Sequence, residues 1–257
     1  MIKFYKYQGT GNDFVMIDNR QHVVSKENVS LINSLCDRRF GVGADGLILL
    51  EDSVTTDFKM VYFNADGNES TMCGNGGRCI VAFAKFLKII DNTTTFEAID
   101  GLHAATVSED IVSLQMQDVV TIEDKGASVF LNTGSPHHVQ FEEHISDFDI
   151  KTIGRTIRNE VYGAEGSNVN FVKKIDDSTF RLRTYERGVE DETLACGTGA
   201  TAVAIAMNYL QETKAKDIKL NVEGGELQVS FDVNDGIFTN VFLTGKAVQV
   251  FKGEIVC

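Results

Sequence analysis

Short runs in which apolar and polar residues alternate make up much of the chain, at residues 2–8, 14–18, 57–64, 112–117, 169–174, 179–186, 226–232 and 238–243. A period of two places successive side chains on opposite faces of a strand, so each run predicts a strand. A continuous apolar run over 47–51 reads as one more. A 3.6-residue period appears in four places: 26–38 behind a Ser25 cap, 76–87, 150–159 behind Asp147, and 199–212. The pattern predicts an α+β protein rich in sheet. Pro136 is the single proline, and no Pro-rich, Ser-rich or low-complexity segment occurs, so any domain boundary is a tight crossing.

The pattern is also written twice. In the first half a strand ending at Asn64 leads through a polar loop to Glu69-Ser-Thr-Met-Cys73-Gly-Asn-Gly and an apolar helix. In the second half a strand ending at Glu186 leads through a polar loop to Glu192-Thr-Leu-Ala-Cys196-Gly-Thr-Gly and another apolar helix. Gly101 and Gly224 then follow Cys73 and Cys196 at the same distance, each opening a strand pair. Such a duplication predicts two similar halves, with the Cys-Gly turns in a pseudo-twofold relation and a site between the halves.

Composition narrows the function. The chain of 257 residues has 24 Lys and Arg against 37 Asp and Glu, a net charge of −13 that repels phosphate backbones and anionic lipid. No nucleic-acid partner is expected. No apolar stretch approaches the ~20 residues of a membrane span, and the N-terminus alternates like a strand instead of forming a signal peptide. A cytoplasmic protein that makes no membrane contact is therefore expected. The five cysteines, 36, 73, 79, 196 and 257, are odd in number and irregularly spaced, which predicts reduced thiols. No C-x-x-C occurs and only five histidines are present, so no metal site is expected.

Cysteine is commonly a small buried hydrophobe, and Cys36, Cys79 and Cys257 are read that way. The duplicated setting of Cys73 and Cys196 favours chemistry instead. A thiol at a helix entrance faces the unsatisfied N–H groups of the first turn and the positive end of the helix dipole, both of which favour thiolate. The N–H groups of Gly74, Asn75, Gly76, Gly197, Thr198 and Gly199 would cradle a carboxylate. Inverting a stereocentre through a carbanion needs an acid and a base on opposite faces, and two thiols, one ionised, meet that need. The pattern Gly41-Val-Gly43-Ala-Asp-Gly46 matches G-x-G-x-x-G, but a helix precedes it and a strand follows, the reverse of a dinucleotide-binding turn. No Gly-Lys-Ser/Thr occurs either, so no phosphate-binding P-loop is present.

The stretches Tyr7-Gln-Gly-Thr-Gly-Asn-Asp-Phe14, Arg39-Phe-Gly-Val-Gly-Ala-Asp-Gly46, Asn64-Ala-Asp-Gly-Asn, Met72-Cys-Gly-Asn-Gly-Gly-Arg78, Gly134-Ser-Pro-His137, Gly166-Ser-Asn-Val-Asn-Phe171, Tyr185-Glu-Arg-Gly188 and Glu192-Thr-Leu-Ala-Cys-Gly-Thr-Gly199 closely resemble the diaminopimelate epimerase family, nearly end to end. The resemblance implies a cofactor-independent isomerase of lysine and cell-wall biosynthesis, interconverting LL- and meso-2,6-diaminopimelate. It implies two α/β halves, each a mostly antiparallel sheet around a central helix, with the last strand returning to the first half. The halves would be 1–118 with 247–257, and 119–246. A cleft between them would close on the substrate.

By position, the resemblance makes Cys73 and Cys196 the acid/base thiols and Gly74, Asn75, Gly197 and Thr198 the carboxylate cradle. Asn12, Asn64, Asn168 and Arg187 would recognise the rest of the substrate, Arg187 as a bidentate partner of the distal carboxylate. Glu186 and His137 would hold the ammonium and tune the thiols. Without the resemblance, Asn12 and Asn64 read as turn residues, Arg187 as a surface charge and His137 as a satisfied turn residue. Three departures stand out. Gly46 replaces a glutamine that contacts substrate in some members, Ser135 replaces a common asparagine, and Gly245-Lys246 replaces a usual Gly-Pro. A proline or hydroxyproline racemase of the same fold, a phenazine-type isomerase, a binding module or a redox switch are the alternatives. The paired thiols count against the phenazine type, and Asn64, Asn168 and Arg187 favour a substrate with a second charged end. A homodimer is compatible with the sequence but not specified by it.

Overall fold

The computed structural model describes residues 1–256, so Cys257 lies outside the described residues. The chain forms two compact units, Met1–Leu114 with the C-terminal segment from Gly245, and Gln115–Thr244. The first contains β1 (Ile2–Gly9), β2 (Asn12–Asp18), α1 (Val29–Cys36), β3 (Gly46–Glu51), β4 (Phe58–Asn64), β5 (Glu69–Ser70), α2 (Gly74–Phe86), β6 (Thr93–Ala98), β7 (Gly101–Ser108) and β8 (Ile111–Gln115). The second contains β9 (Ile122–Asp124), β10 (Ser128–Asn132), β11 (Pro136–Phe141), α3 (Ile150–Thr156), β12 (Asn168–Lys174), β13 (Thr179–Glu186), β14 (Asp191–Thr193), α4 (Gly197–Tyr209), β15 (Asp217–Val222), β16 (Gly225–Asn234) and β17 (Ile237–Lys246). The last strand, β18 (Val248–Ile255), belongs to the first unit.

In the first unit the strands lie in the order β18, β1, β2, β3, β4, β6, β7, β8, with β5 a short addition to β4. The pairings β2–β3 and β4–β6 are parallel and the rest antiparallel. In the second unit the order is β9, β10, β11, β12, β13, β15, β16, β17, with β14 on β13, and again only the third and fifth pairings, β11–β12 and β13–β15, are parallel. The predicted duplication is present strand for strand.

The parallel pairings explain the helices. A parallel neighbour cannot be reached through a tight turn and needs a crossover, usually helical. Helix α1 makes the β2-to-β3 crossing and α2 the β4-to-β6 crossing, while α3 and α4 make the equivalent crossings in the second unit. Alternation on the strands sends Val15, Ile17, Leu47, Leu49, Val61 and Phe63 towards Ile32 and Leu35 of α1. Their neighbours Phe14, Ile48 and Met60 face the first turn of α2 around Gly76. Helix α4 is buried along almost its whole length, from Ala200 through Met207, and touches strands from β10 to β16. A helix apolar all round needs apolar surface all round, and the curled sheet supplies it.

Several element ends differ from the sequence reading. Helix α1 starts at Val29 because Asn28 is its cap, with Oδ1 accepting the Leu31 N–H at 3.1 Å, whereas Ser25 forms the preceding turn. Helix α3 is capped by Asp149, which accepts from Thr152 at 3.2 Å, and not by Asp147. It ends at Thr156 and passes into a π-helical turn, Ile157–Val161. Helices α2 and α4 begin two residues earlier than their apolar periodicity, because glycine and small polar residues occupy their first turns. The structural equivalent of Gly101 is Gly225, not Gly224. Both follow a two-residue loop and carry φ of +128° and +140°, a region costly for any residue with a Cβ. Strand β6, with only Thr94 and Phe96 fully inward, carries too few apolar residues to show a period.

The β4–β6 pairing sets Phe58 beside Phe96, both fully buried, with ring centroids 5.1 Å apart and planes 7° from parallel. Truncating Phe96 removes its packing and leaves a cavity where the second crossover closes. Phe96→Ala should lower stability by about 3–5 kcal/mol, read from urea unfolding with m unchanged.

Candidate active site

Each central helix begins at a cysteine. Cys73 and Cys196 are the N-cap residues of α2 and α4, with extended backbone (φ −97°, ψ 132° and φ −116°, ψ 112°), and neither sulfur caps its own helix. The first helical hydrogen bonds run from Gly77 N–H to Cys73 O at 2.7 Å and from Ala200 N–H to Cys196 O at 2.9 Å. The amides of Gly74, Asn75 and Gly76, and those of Gly197, Thr198 and Gly199, precede these bonds and form the helix N-termini, where the backbone favours an anion. The other two described cysteines differ. Burial pushes the thiols of Cys36 and Cys79 up to about 12, so both stay protonated at neutral pH.

In the first unit the Cys73 thiol donates to Asn12 Oδ1 at 3.6 Å, and Asn75 Nδ2 donates to the same oxygen at 3.3 Å. Two charged groups fix these amides. Asn12 Nδ2 donates to Asp45 Oδ2 at 2.6 Å, and Asn75 Oδ1 accepts from the Arg78 guanidinium at 2.9 Å. Asn12 therefore turns its carbonyl oxygen towards the sulfur.

Arg78 is fully buried, bonds also to Thr10 Oγ1 at 2.9 Å and to the Gly74 carbonyl at 3.3 Å, and leaves Nε without a partner. Burial pulls its pKa down, while the neighbouring Cys79 and Cys73 pull it back up. Sequence reasoning gave Arg78 no role, although it stands one helical turn beyond Gly74, on the same face. Asp45 is tied by Arg38, which also grips Asp13 at 2.7 Å, and Lys6 pairs with Asp13 at 2.8 Å.

Asn64 is exposed at the end of β4, opposite Gly46 in the β3–β4 register. A Cβ on Gly46 would lie 2.5 Å from the Phe63 carbonyl oxygen and 2.6 Å from the Tyr62 ring. The glycine is thus required by the Phe63 carbonyl together with the Tyr62 ring, which occupy the space a side chain would need.

In the second unit the Cys196 sulfur is 3.4 Å from Thr198 Oγ1, and Cys196 is 8% exposed. Thr198 Oγ1 is 3.1 Å from Ser135 Oγ, which also lies 3.0 Å from His137 Nε2 and 3.1 Å from Asn168 Nδ2. His137 is fully buried and is linked to the thiol through Ser135 and Thr198. Burial, with the Arg187 charge added, lowers its pKa to about 3, so the imidazole is neutral. Ser135 therefore keeps a place in the network despite its shorter side chain.

Asn168 Oδ1 accepts the Arg187 N–H at 2.9 Å, and the exposed Arg187 guanidinium donates to the Glu165 carbonyl at 2.8 Å. Glu186 is half-buried at the end of β13, next to Arg187. Asn170, to which sequence reasoning gave no role, holds His137 Nδ1 at 3.1 Å. The signal was available, since Asn168-Val-Asn170 places both amides on one face of a strand. Gly199 leaves room for it, because a Cβ there would lie 2.6 Å from Asn170 Oδ1.

The architecture is that of a class of two-unit α/β proteins. A Bacillus anthracis phenazine biosynthesis protein of the PhzF family superposes with a TM-score of 0.77 at 13% identity, covering 100% of this chain and 99% of that one. A hydroxyproline epimerase from Agrobacterium vitis does so with 0.72 at 13% identity, covering 98% and 91%. At such identity the likeness is one of fold. The family model "Diaminopimelate epimerase" matches residues 4–122 and 129–250. A diaminopimelate epimerase from Flavobacterium psychrophilum is 62% identical over 99% of this chain and 100% of its own length, and one from Aquifex aeolicus is 40% identical over 99% and 98%. The chain belongs to the diaminopimelate epimerase family.

Asp13 supports the Asn12 turn through ionised groups, which makes that turn acid-sensitive. Burial alone would raise the Asp13 carboxyl, but hydrogen bonds from Arg38 and Lys6 outweigh it and hold the pKa at about 2. A depressed folded pKa contributes stability that is full above the unfolded value of ~4 and is lost as pH falls towards 2. Thermal melts from pH 5 to pH 2 should show a steeper acid decline for the parent than for Asp13→Asn.

Proposed function

We propose that the protein interconverts LL- and meso-2,6-diaminopimelate without a cofactor, using Cys73 and Cys196 as acid and base. The family membership supports the reaction, and one observation carries the mechanism: each sulfur stands at a helix N-terminus but takes no part in capping it. In this reading the substrate carboxylate lies on the amides of Gly74, Asn75, Gly197 and Thr198, where helix dipoles and N–H groups stabilise the charge that grows as the α-proton leaves. One thiolate takes that proton, and the other thiol returns one to the opposite face, because return from the same face restores the starting configuration. The thiols exchange roles in the reverse direction.

Arg187 binds the distal carboxylate, aided by Asn64 and Asn168, and Asn12 orients the reacting end. Glu186 holds the ammonium group. The Asn12 and Asn168 assignments draw support from side chains already oriented by Asp45 and by the Arg187 backbone. A role in lysine and cell-wall precursor synthesis follows from this substrate, as does a cytoplasmic location. No described helix is long and apolar enough to cross a membrane.

Incubation with LL-diaminopimelate in deuterated water should yield meso product labelled at one α-carbon. Cys73→Ala and Cys196→Ala should each lose at least about a hundredfold in epimerisation, the scale of a removed acid or base. Proline and hydroxyproline should not exchange. Two variants as active as the parent would defeat the two-thiol mechanism, and binding without exchange would make the protein a binding module.

A further inference from the structure

The hydrogen atoms in the chain of contacts that leads to Cys196 can be assigned from Asn170 as far as Ser135. Asn170 Nδ2 donates to the His138 carbonyl at 2.9 Å, and its Oδ1 accepts from Thr184 Oγ1 at 3.0 Å, which fixes the amide. The second Nδ2 hydrogen then points at His137 Nδ1, 3.1 Å away. An amide nitrogen can only donate there, so Nδ1 accepts and the single N–H of the neutral imidazole sits on Nε2. That N–H donates to Ser135 Oγ. Asn168 is fixed in the same way, since its Oδ1 accepts the Arg187 N–H and its Nδ2 must donate to Ser135 Oγ. With both lone pairs of Ser135 engaged, its own hydrogen goes to Thr198 Oγ1. Thr198, having accepted from Ser135, keeps one hydrogen to donate, and the Cys196 sulfur lies 3.4 Å away.

The geometry points to a one-way hydrogen-bond relay, from Asn170 through His137, Ser135 and Thr198, that makes the Cys196 sulfur an acceptor and holds it as the ionised base of the substrate-free enzyme. Asn170 and Ser135 are positioning residues in this relay, since they act on the sulfur only through Thr198. The inference rests on the reading of Cys196 as one of the two acid/base thiols. A hydroxyl that donates to sulfur stabilises thiolate and opposes thiol, as any charge-assisted hydrogen bond favours its charged partner. The serine at position 135 suits the task, because a hydroxyl that accepts two hydrogen bonds passes the third onward without ambiguity. Arg187, whose positive charge reaches His137, lies beside the relay, and the neutral imidazole adds no charge of its own.

Two measurements on the full-length protein test the relay without requiring turnover. Iodoacetamide alkylation at pH 7, quantified for the Cys196 peptide by mass spectrometry, reads the thiolate fraction. Thr198→Val should slow Cys196 alkylation about tenfold, Ser135→Ala should slow it less, and Thr198→Ser should restore the parental rate. Nitrogen-15 NMR of the histidines should show His137 protonated on Nε2 and bare on Nδ1. Unchanged alkylation in Thr198→Val, with only KM raised, would show that the hydroxyl serves the substrate carboxylate alone and would overturn the relay. So would a His137 proton on Nδ1. Alkylation reports the relay whether or not diaminopimelate is turned over, so deuterium exchange tests the reaction separately.

Discussion

The parallel crossover is the constraint on which the rest depends. A strand that must reach a parallel neighbour has to leave the sheet, cross it and return, and in both units the second crossing is made by an apolar helix laid against the sheet. The helix then starts after the preceding central strand and its short side strand have ended. Its first amides have no helical carbonyl to accept them, and the residue at that corner is a cysteine. The packing requirement thus places both cysteines at helix N-termini.

Around these equivalent corners the side chains have diverged. Asn12, held by Asp45, offers a carbonyl oxygen to Cys73, whereas Thr198 stands beside Cys196 with a hydroxyl. An acceptor beside one sulfur favours thiol, and a donor beside the other favours thiolate. In the proposed reading, two copies of one supersecondary unit take opposite tasks in the substrate-free state through the polarity of a few hydrogen bonds. Charged groups fix that polarity in the first unit, through the buried Arg78 and the more exposed Asp45–Arg38–Asp13 group. Neutral amides and hydroxyls fix it in the second.

Much of this was legible in the residues. The alternating and apolar runs located half of the strands, and the repeated Glu-x-x-x-Cys-Gly-x-Gly pattern located both corners, because helix entry and backbone approach to a ligand demand the same small residues in the same order. Element ends were harder, as at Asn28 and Asp149, where several candidate caps lie within a few residues and only the folded chain selects one. Strands β6 and β10 were among those not legible, since six and five residues hold too little alternation. Gly46 was readable as a departure, yet its cause, the Phe63 carbonyl with the Tyr62 ring, belongs to a neighbouring strand.

The sequence by itself determined the duplication, the two cysteine corners and the family, because these depend on residue order along one stretch of chain. Tertiary structure alone decided which way each amide faces, why His137 is neutral and why Arg78 matters. Those properties belong to groups far apart in sequence that burial brings within hydrogen-bonding distance, and no local pattern records which partner a side chain will meet.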